Sequence, residues 1–261
     1  MTSPAPLAVR VALVTGGSMG IGRAIALGLA GAGADVAIHY AAEVDRRLDR
    51  PDAWADTRTA LLALGRRAMT VDAHFAQPGA AWRTVKQVRE ELGGPDILVI
   101  AAATQRRGPF TAITRDDIDL QVAINFAATV ELLQAALPAM AAAGWGRVLS
   151  IGSLNAIRPD PELAVYAALK AAQHNLIANL ARPYAVRGVT LNTLSPGLIA
   201  TDRNRWRRED AAAWQKIQAE ANPLGRAGLP DELVAAALMF CSDAGAFVTG
   251  ADLLATGGGH L

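Results

Sequence analysis

Short apolar runs recur along this chain, and most are followed by a longer stretch in which apolar residues return every three or four positions. Runs at 9–14, 35–40, 68–71, 96–103, 147–151, 189–194 and 251–256 read as buried strands. Helical periods occupy 23–30, a stretch ending near 64, one from the Thr114-Arg-Asp-Asp117 capping box to about 142, one from the mid-160s to 187, and one opened by Pro230. Pro138 and Pro183 fall inside two of these and should kink the first and weaken the end of the second. Alternating strands and helices of this kind predict an α/β fold: a doubly wound parallel sheet of about seven strands with helices on both faces. A length of 261 residues suits one domain spanning 1–261. The charged stretch 43–59 breaks the rhythm and reads as a long solvated loop.

The first strand runs straight into Thr15-Gly16-Gly17-Ser18-Met19-Gly20-Ile21-Gly22 and then a helix. Glycines let backbone N–H groups at a helix start approach phosphate, so this turn is a dinucleotide-binding candidate, with a purely structural tight turn as the alternative. At the end of the second strand, Tyr40 stands where an acid would accept the ribose 2′-hydroxyl of NAD. Its presence leans the reading towards NADP(H), and Arg46, Arg47 or Arg50 could reach a 2′-phosphate. Asp72, ending the third strand, either receives an adenine amine or caps the next segment of chain. Ala101 and Ala102, at the end of the fourth, leave room for a flat cofactor or for close helix packing. Pro196, Gly197, Ile199 and Thr201 form a turn that could face a carboxamide.

The stretch 153–170 holds a hydroxyl, a phenol and an amine. Tyr166 and Lys170 are four apart, on one helical face. An unperturbed phenol titrates near pH ~10, and a neighbouring ammonium lowers that value. Ser153 emerges at a strand tip, where open parallel sheets bind ligands. Asn125, in the middle of a helix, is raised above a satisfied polar residue only by this company.

Composition narrows the function further. A net charge of +1 gives no field for nucleic acid or membrane, and 52% hydrophobic residues suffice for a large core. The single cysteine, Cys241, sits in an apolar run and suits a buried thiol in a reducing compartment. Residues 1–10 carry no leader pattern and no run approaches the ~18 apolar residues of a membrane span, so a cytoplasmic protein is expected. Scattered histidines, among them His39 and His174, form no metal cluster. The segment 201–222, with Arg203, Arg205, Arg207, Arg208, Trp206 and Trp214, is either a solvated helix face or a cover that meets an acidic substrate.

With these residues placed, the chain resembles the short-chain dehydrogenase/reductase family over essentially its whole length. The motifs are Thr15-Gly-x-x-x-Gly-Ile-Gly22, Asn125, Ser153, Tyr166-x-x-x-Lys170, Pro196-Gly197 with Thr201, and Pro223-Leu-Gly-Arg226. The resemblance implies an NAD(P)-dependent oxidoreductase that interconverts an alcohol and a ketone or aldehyde. Tyr166 would be the acid or base and Lys170 would lower its pKa and bind the nicotinamide ribose. Ser153 would hold the substrate oxygen, and Asn125 would place a water in the proton relay. Thr15, Gly16, Ile21, Gly22, Asp72, Ile199 and Thr201 match cofactor positions. Two departures stand out: Ile100-Ala-Ala-Ala103 replaces the family's Asn-Asn-Ala-Gly, and Met19 replaces an arginine common in NADP-dependent members.

A 3-oxoacyl-carrier-protein reductase is one alternative, with Arg187 at a basic docking position but Gly144 where a second arginine is common. A haloalcohol dehalogenase-like lyase would lack the glycine loop and carry arginine at Lys170, and a dinucleotide-sensing regulator would lose the tyrosine. Enoyl reductases of related fold resemble Tyr-x-x-x-x-x-x-Lys instead. Substrate would meet Asn155, Ile157, Arg158 and the segment 201–222. A homotetramer is expected through the helices holding Asn125 and Tyr166, whose small faces include Ala167, Ala168, Ala171 and Ala172. NADP(H) is expected as the preferred cofactor, with NAD(H) also used.

Overall fold

β1 (Val11–Thr15) is buried along its whole length, as a central strand covered on both faces must be. The computed structural model describes residues 5–261, so the first four residues of the stretch searched for a leader lie outside the described residues. After β1 the chain alternates α1 (Gly20–Gly31), β2 (Asp35–Tyr40), α2 (Ala42–Arg47), α3 (Ala53–Ala63), β3 (Ala68–Asp72), α4 (Ala80–Leu92) and β4 (Ile97–Ile100). The second half holds α5 (Arg115–Val122), α6 (Ala128–Ala143), β5 (Gly146–Ile151), α7 (Ala164–Ala185), β6 (Val189–Pro196), α8 (Ala211–Ala221), α9 (Val234–Cys241) and β7 (Asp252–Ala255). All seven strands are parallel, in the order β3-β2-β1-β4-β5-β6-β7. The order reverses between β1 and β4, which opens a crevice at their carboxyl ends.

Strand alternation divides the core. Leu13, Leu98, Val148 and Leu191 meet α4 and α6 through Val85, Leu132 and Met140, while Val14, Val99 and Leu149 meet α1 and α9 through Ile25, Leu29 and Phe240. Cys241 is wholly buried on the second side, where burial pushes its thiol up to about 12.

Several boundaries differ from the sequence reading. Val9 is 84% exposed and precedes the first strand, because pairing with β2 begins only at Val11. The stretch 43–59 is not a loop: it forms α2 and the start of α3, whose Ala53, Thr57 and Leu61 are buried while its Asp56 and Arg58 face water. β4 stops at Ile100, and the predicted extension to 103 leaves the sheet. Between α5 and α6 the chain widens into a π turn over Ala123–Ala127, and α6 runs on through Pro138. Pro230 opens a 3₁₀ turn, with α9 beginning four residues later. Of the four alanines assigned to an outer face of α7, Ala167 is buried in the core. The stretch Arg115–Ala143 has the length and composition to cross a membrane, yet half of its most apolar window is buried in the protein, with Leu132, Leu137 and Met140 in the core.

Asp35 pins the starts of β2 and β3 together. Its carboxylate accepts from Arg66 Nη2 at 2.8 Å, Arg67 N at 3.0 Å and Arg67 Nε at 2.7 Å. Burial raises its pKa, but the bonds from Arg67 and the two guanidinium charges together outweigh it and hold the carboxyl below the ordinary value. A carboxyl with a depressed folded pKa contributes stability that is complete above its unfolded pKa and is lost as pH falls through the folded one. Urea unfolding of Asp35→Asn should show a deficit of about 1–2 kcal/mol at pH 7, shrinking below about pH 4. A deficit independent of pH down to 3 would refute the assignment.

Candidate active site

The glycine turn is shaped by its neighbours. Gly20 has φ +56°, a left-handed conformation that favours glycine, and a side-chain carbon at Gly22 would collide with the Gly16 carbonyl. Met19, at the N-cap of α1, makes no capping hydrogen bond and the first turn holds no acid. The N–H groups that open the helix are thus left for an anionic ligand, and the cradle fits a dinucleotide pyrophosphate. His39 holds the turn from below: Gly16 N donates to Nδ1 at 3.3 Å, Nε2 donates to Ala73 O at 2.8 Å, and the ring stacks on Phe75. Burial lowers its pKa to about 4, so it stays neutral.

Beside the turn, Tyr40 stacks on Trp54, with ring centroids 5.4 Å apart. Asp72 is already engaged across the sheet: its Oδ1 accepts from Ala42 N at 2.9 Å, fixing the exit of β2. Asp45 is buried on α2 and accepts from Ser18 Oγ at 3.1 Å. Burial chiefly, with some help from Asp72 and Asp202, pushes its carboxyl up to about 6. The sequence reading found no acid at the tip of β2 because Asp45 reaches it from the following helix.

Ala101 and Ala102 carry no polar side chains, yet their tip is held. Thr15 Oγ1 accepts from Ala101 N at 3.0 Å and Ala102 N at 3.1 Å. Asn125, in the π turn, accepts from Thr104 N at 2.9 Å and donates to Thr104 O at 2.8 Å. Both polar atoms of the Asn125 side chain thus clamp the chain beyond β4.

Ser153, Tyr166 and Lys170 come together, all three buried. Ser153 Oγ accepts from Asn155 N at 3.1 Å, and Asn155 Oδ1 accepts from Asp160 N at 2.9 Å, so the loop after β5 fixes the hydroxyl. Lys170 Nζ donates to Ile151 O at 2.7 Å and to Gln173 Oε1 at 2.9 Å, and it lies 5.8 Å from the centroid of the Tyr166 ring. Gln173 Nε2 donates to Thr129 Oγ1 at 3.2 Å, and Thr129 Oγ1 donates to Asn125 O at 3.1 Å. This chain of side chains links the amine to the π turn. Gln173 was missed because a glutamine on a helix carries no signal of its own; its spacing three residues after Lys170 was the available hint.

The electrostatics differ from expectation. Burial raises the Tyr166 pKa, against lowering by the Arg203 charge and the Ser153 hydroxyl. Burial, aided by Arg203, brings Lys170 down to about 7. In this structure the lysine therefore does not depress the phenol, because desolvation acts against both charges.

The chain after β6 closes the site. Thr201 and Asn204 are tied by Thr201 N to Asn204 Oδ1 at 3.0 Å, and Asn204 Nδ2 donates to Ile199 O at 2.8 Å. Gly197 packs against Thr256, and a side chain at Gly20 would touch Thr201. Arg50 donates to Asp202 at 2.6 Å and is committed there. Arg47 faces Glu43 at 3.9 Å. Arg158 reaches Gly259 O at 2.5 Å, while Ile157 stays exposed.

A family model described as enoyl-(acyl carrier protein) reductase matches residues 16–260. Acetoacetyl-CoA reductase of Cupriavidus necator is 33% identical over 252 residues, 97% of this chain and 98% of that protein. L-rhamnose 1-dehydrogenase (NAD(P)(+)) of Sphingomonas is 33% identical over 254 residues, 97% of this chain and 96% of that one. Among solved structures, a 3-oxoacyl (acyl-carrier-protein) reductase from Agrobacterium tumefaciens with NADP bound is 44% identical, with a TM-score of 0.91 over 98% of this chain and 96% of that one.

Asn125→Ala should free both Thr104 groups and cost about 1–3 kcal/mol, as unpaired buried polar groups do. Hydrogen exchange should then speed at the Thr104 amide, and an unchanged rate there would contradict the clamp.

Proposed function

We propose, on the premise that this chain belongs to the short-chain dehydrogenase/reductase family and is an NAD(P)-dependent oxidoreductase of alcohols and carbonyl compounds, that Tyr166 is its general acid or base. The convergence of Ser153, Tyr166 and Lys170 in one buried cluster carries this reading. A nicotinamide cofactor bound along the glycine turn supplies or takes the hydride. Ser153 donates to the substrate oxygen, and Tyr166 gives that oxygen its proton in reduction or takes it in oxidation. Lys170 uses two of its three N–H donors on Ile151 O and Gln173 Oε1, leaving one for the phenol and the cofactor ribose. Asn125 holds the end of β4 against the cofactor's path.

The spacing of four between Tyr166 and Lys170 supports carbonyl reduction over reduction of an enoyl double bond. A 3-oxoacyl substrate remains the second reading, favoured by the names of the Cupriavidus and Agrobacterium relatives. Tyr166→Phe should abolish turnover, followed by nicotinamide absorbance, while cofactor binding stays within a few-fold of the parent. Turnover within a few-fold of the parent would remove Tyr166 from the role.

NADP(H) is the preferred cofactor in this reading, with NAD(H) also accepted. The NADP in the Agrobacterium relative and the absence of an acid at position 40 support it. Arg50 is held by Asp202, and Asp45 and Asp72 lie beside Tyr40, so the preference should stay below the ten- to hundredfold, or about 1.5–3 kcal/mol, of one arginine–phosphate contact. Fluorescence titration of both cofactors should show Tyr40→Asp turning the preference towards NAD(H). A parent that strongly prefers NAD(H), or a variant with unchanged preference, would mean that the tip of β2 does not set the choice.

A further inference from the structure

The 3₁₀ segment Asp202–Arg208 carries Arg203 two residues after its N-cap, Thr201. Its Nη2 donates to Ala103 O at 2.8 Å, so the side chain crosses from the chain after β6 to the chain beyond β4. The bonds among Thr201, Asn204 and Ile199 anchor the backbone on either side of it. The side chain is solvent-exposed, and the one bond to Ala103 O is what orients it. Its charge is felt by both Tyr166 and Lys170.

Arg203 pairs with no acid among the described residues, although acids are plentiful around it. Asp202 is taken by Arg50, Asp160 and Glu162 by Arg107, and Asp49 by Arg205. The acids near the mouth of the site are thus matched with other arginines. One carbonyl bond leaves most of the guanidinium fork open, and a guanidinium fork suits a carboxylate in two-point contact.

From this geometry we infer that Arg203 receives a carboxylate of the substrate, and that the enzyme acts on small oxo acids and the corresponding hydroxy acids. The inference rests on the reading of Ser153, Tyr166 and Lys170 as the centre that takes the substrate oxygen. An acid bound between Arg203 and that centre leaves its carbonyl for Ser153 and Tyr166. Its negative charge also offsets the Arg203 field, which adds to burial in holding Lys170 down, and so favours the ammonium.

The test uses pyruvate and acetoacetate, each beside its methyl ester. Binding to the protein saturated with NADP+, which holds no hydride for an oxo acid, is read by calorimetry, and turnover with NADPH by nicotinamide absorbance. The acids should bind about ten- to a hundredfold more tightly than their esters, the span of one charge-assisted contact. Arg203→Gln should abolish the preference for acid over ester, whatever it does to the esters themselves, and Arg203→Lys should keep part of the difference. Retained NADPH binding by both variants shows that they are folded. Equal binding of acid and ester by the parent, undiminished acid binding by Arg203→Gln, or no heat from either acid overturns the inference. Arg203-dependent binding of acids with no turnover of any probe keeps the carboxylate contact at Arg203 and overturns both the claim that these acids are substrates and the reductase reading it rests on.

Discussion

A lysine ammonium buried without a carboxylate is the constraint around which this structure is arranged. Lys170 is 2% exposed, and among the described residues no acid pairs with it. Desolvating a charge is costly unless hydrogen bonds replace water. The protein replaces that water with a strand-tip carbonyl, Ile151 O, and a side-chain amide, Gln173 Oε1. That solution requires β5 to end where it does and α7 to lie across its tip. It also requires the π turn, whose Thr129 holds Gln173 in place. Tyr166 shares the same dry surroundings. The two groups are therefore poised by burial, with no counter-charge to fix their states.

The second organising element is the end of β4, where Ile100 and Ala101 stand in place of the two asparagines usual in the family and Ala102 and Ala103 follow. The alanines' backbone N–H groups would be unpaired where the strand leaves the sheet. Thr15 meets two of them from β1, and Asn125 meets the residue after them from the π turn. Strand tip, glycine turn and the π turn that holds Asn125 are thereby joined through backbone groups. Small side chains at this point keep the crevice open without loosening its wall.

Much of this was legible in the sequence. Buried parallel strands are near-continuous apolar runs, so all seven strands, the glycine turn and the Tyr166–Lys170 pair could be read from periodicity and spacing. Boundaries were less legible. Val9 is as apolar as a strand residue but has no partner in β2, and pairing is not written in one run alone. The stretch 43–59 read as solvated because its charges outnumber its buried positions, yet Ala53, Thr57 and Leu61 suffice to fold α3 onto the sheet. Gln173 and Asp45 were invisible for another reason: each acts through a partner on another element, Thr129 and Ser18. The direction of the tyrosine shift also needed coordinates, since spacing reveals the neighbouring charge but not the water excluded from both.

The pairs Arg50–Asp202 and Asp49–Arg205 join the chain after α2 to the chain after β6, stretches far apart in sequence. These two stretches flank the glycine turn, so the pairs act as a clasp across the groove. Partly exposed pairs of this kind hold with about 1 kcal/mol or less and weaken in salt. Such a clasp can part by thermal motion alone. While closed, it couples the chain after α2 to the segment Asp202–Arg208, so a displacement of either stretch strains the other.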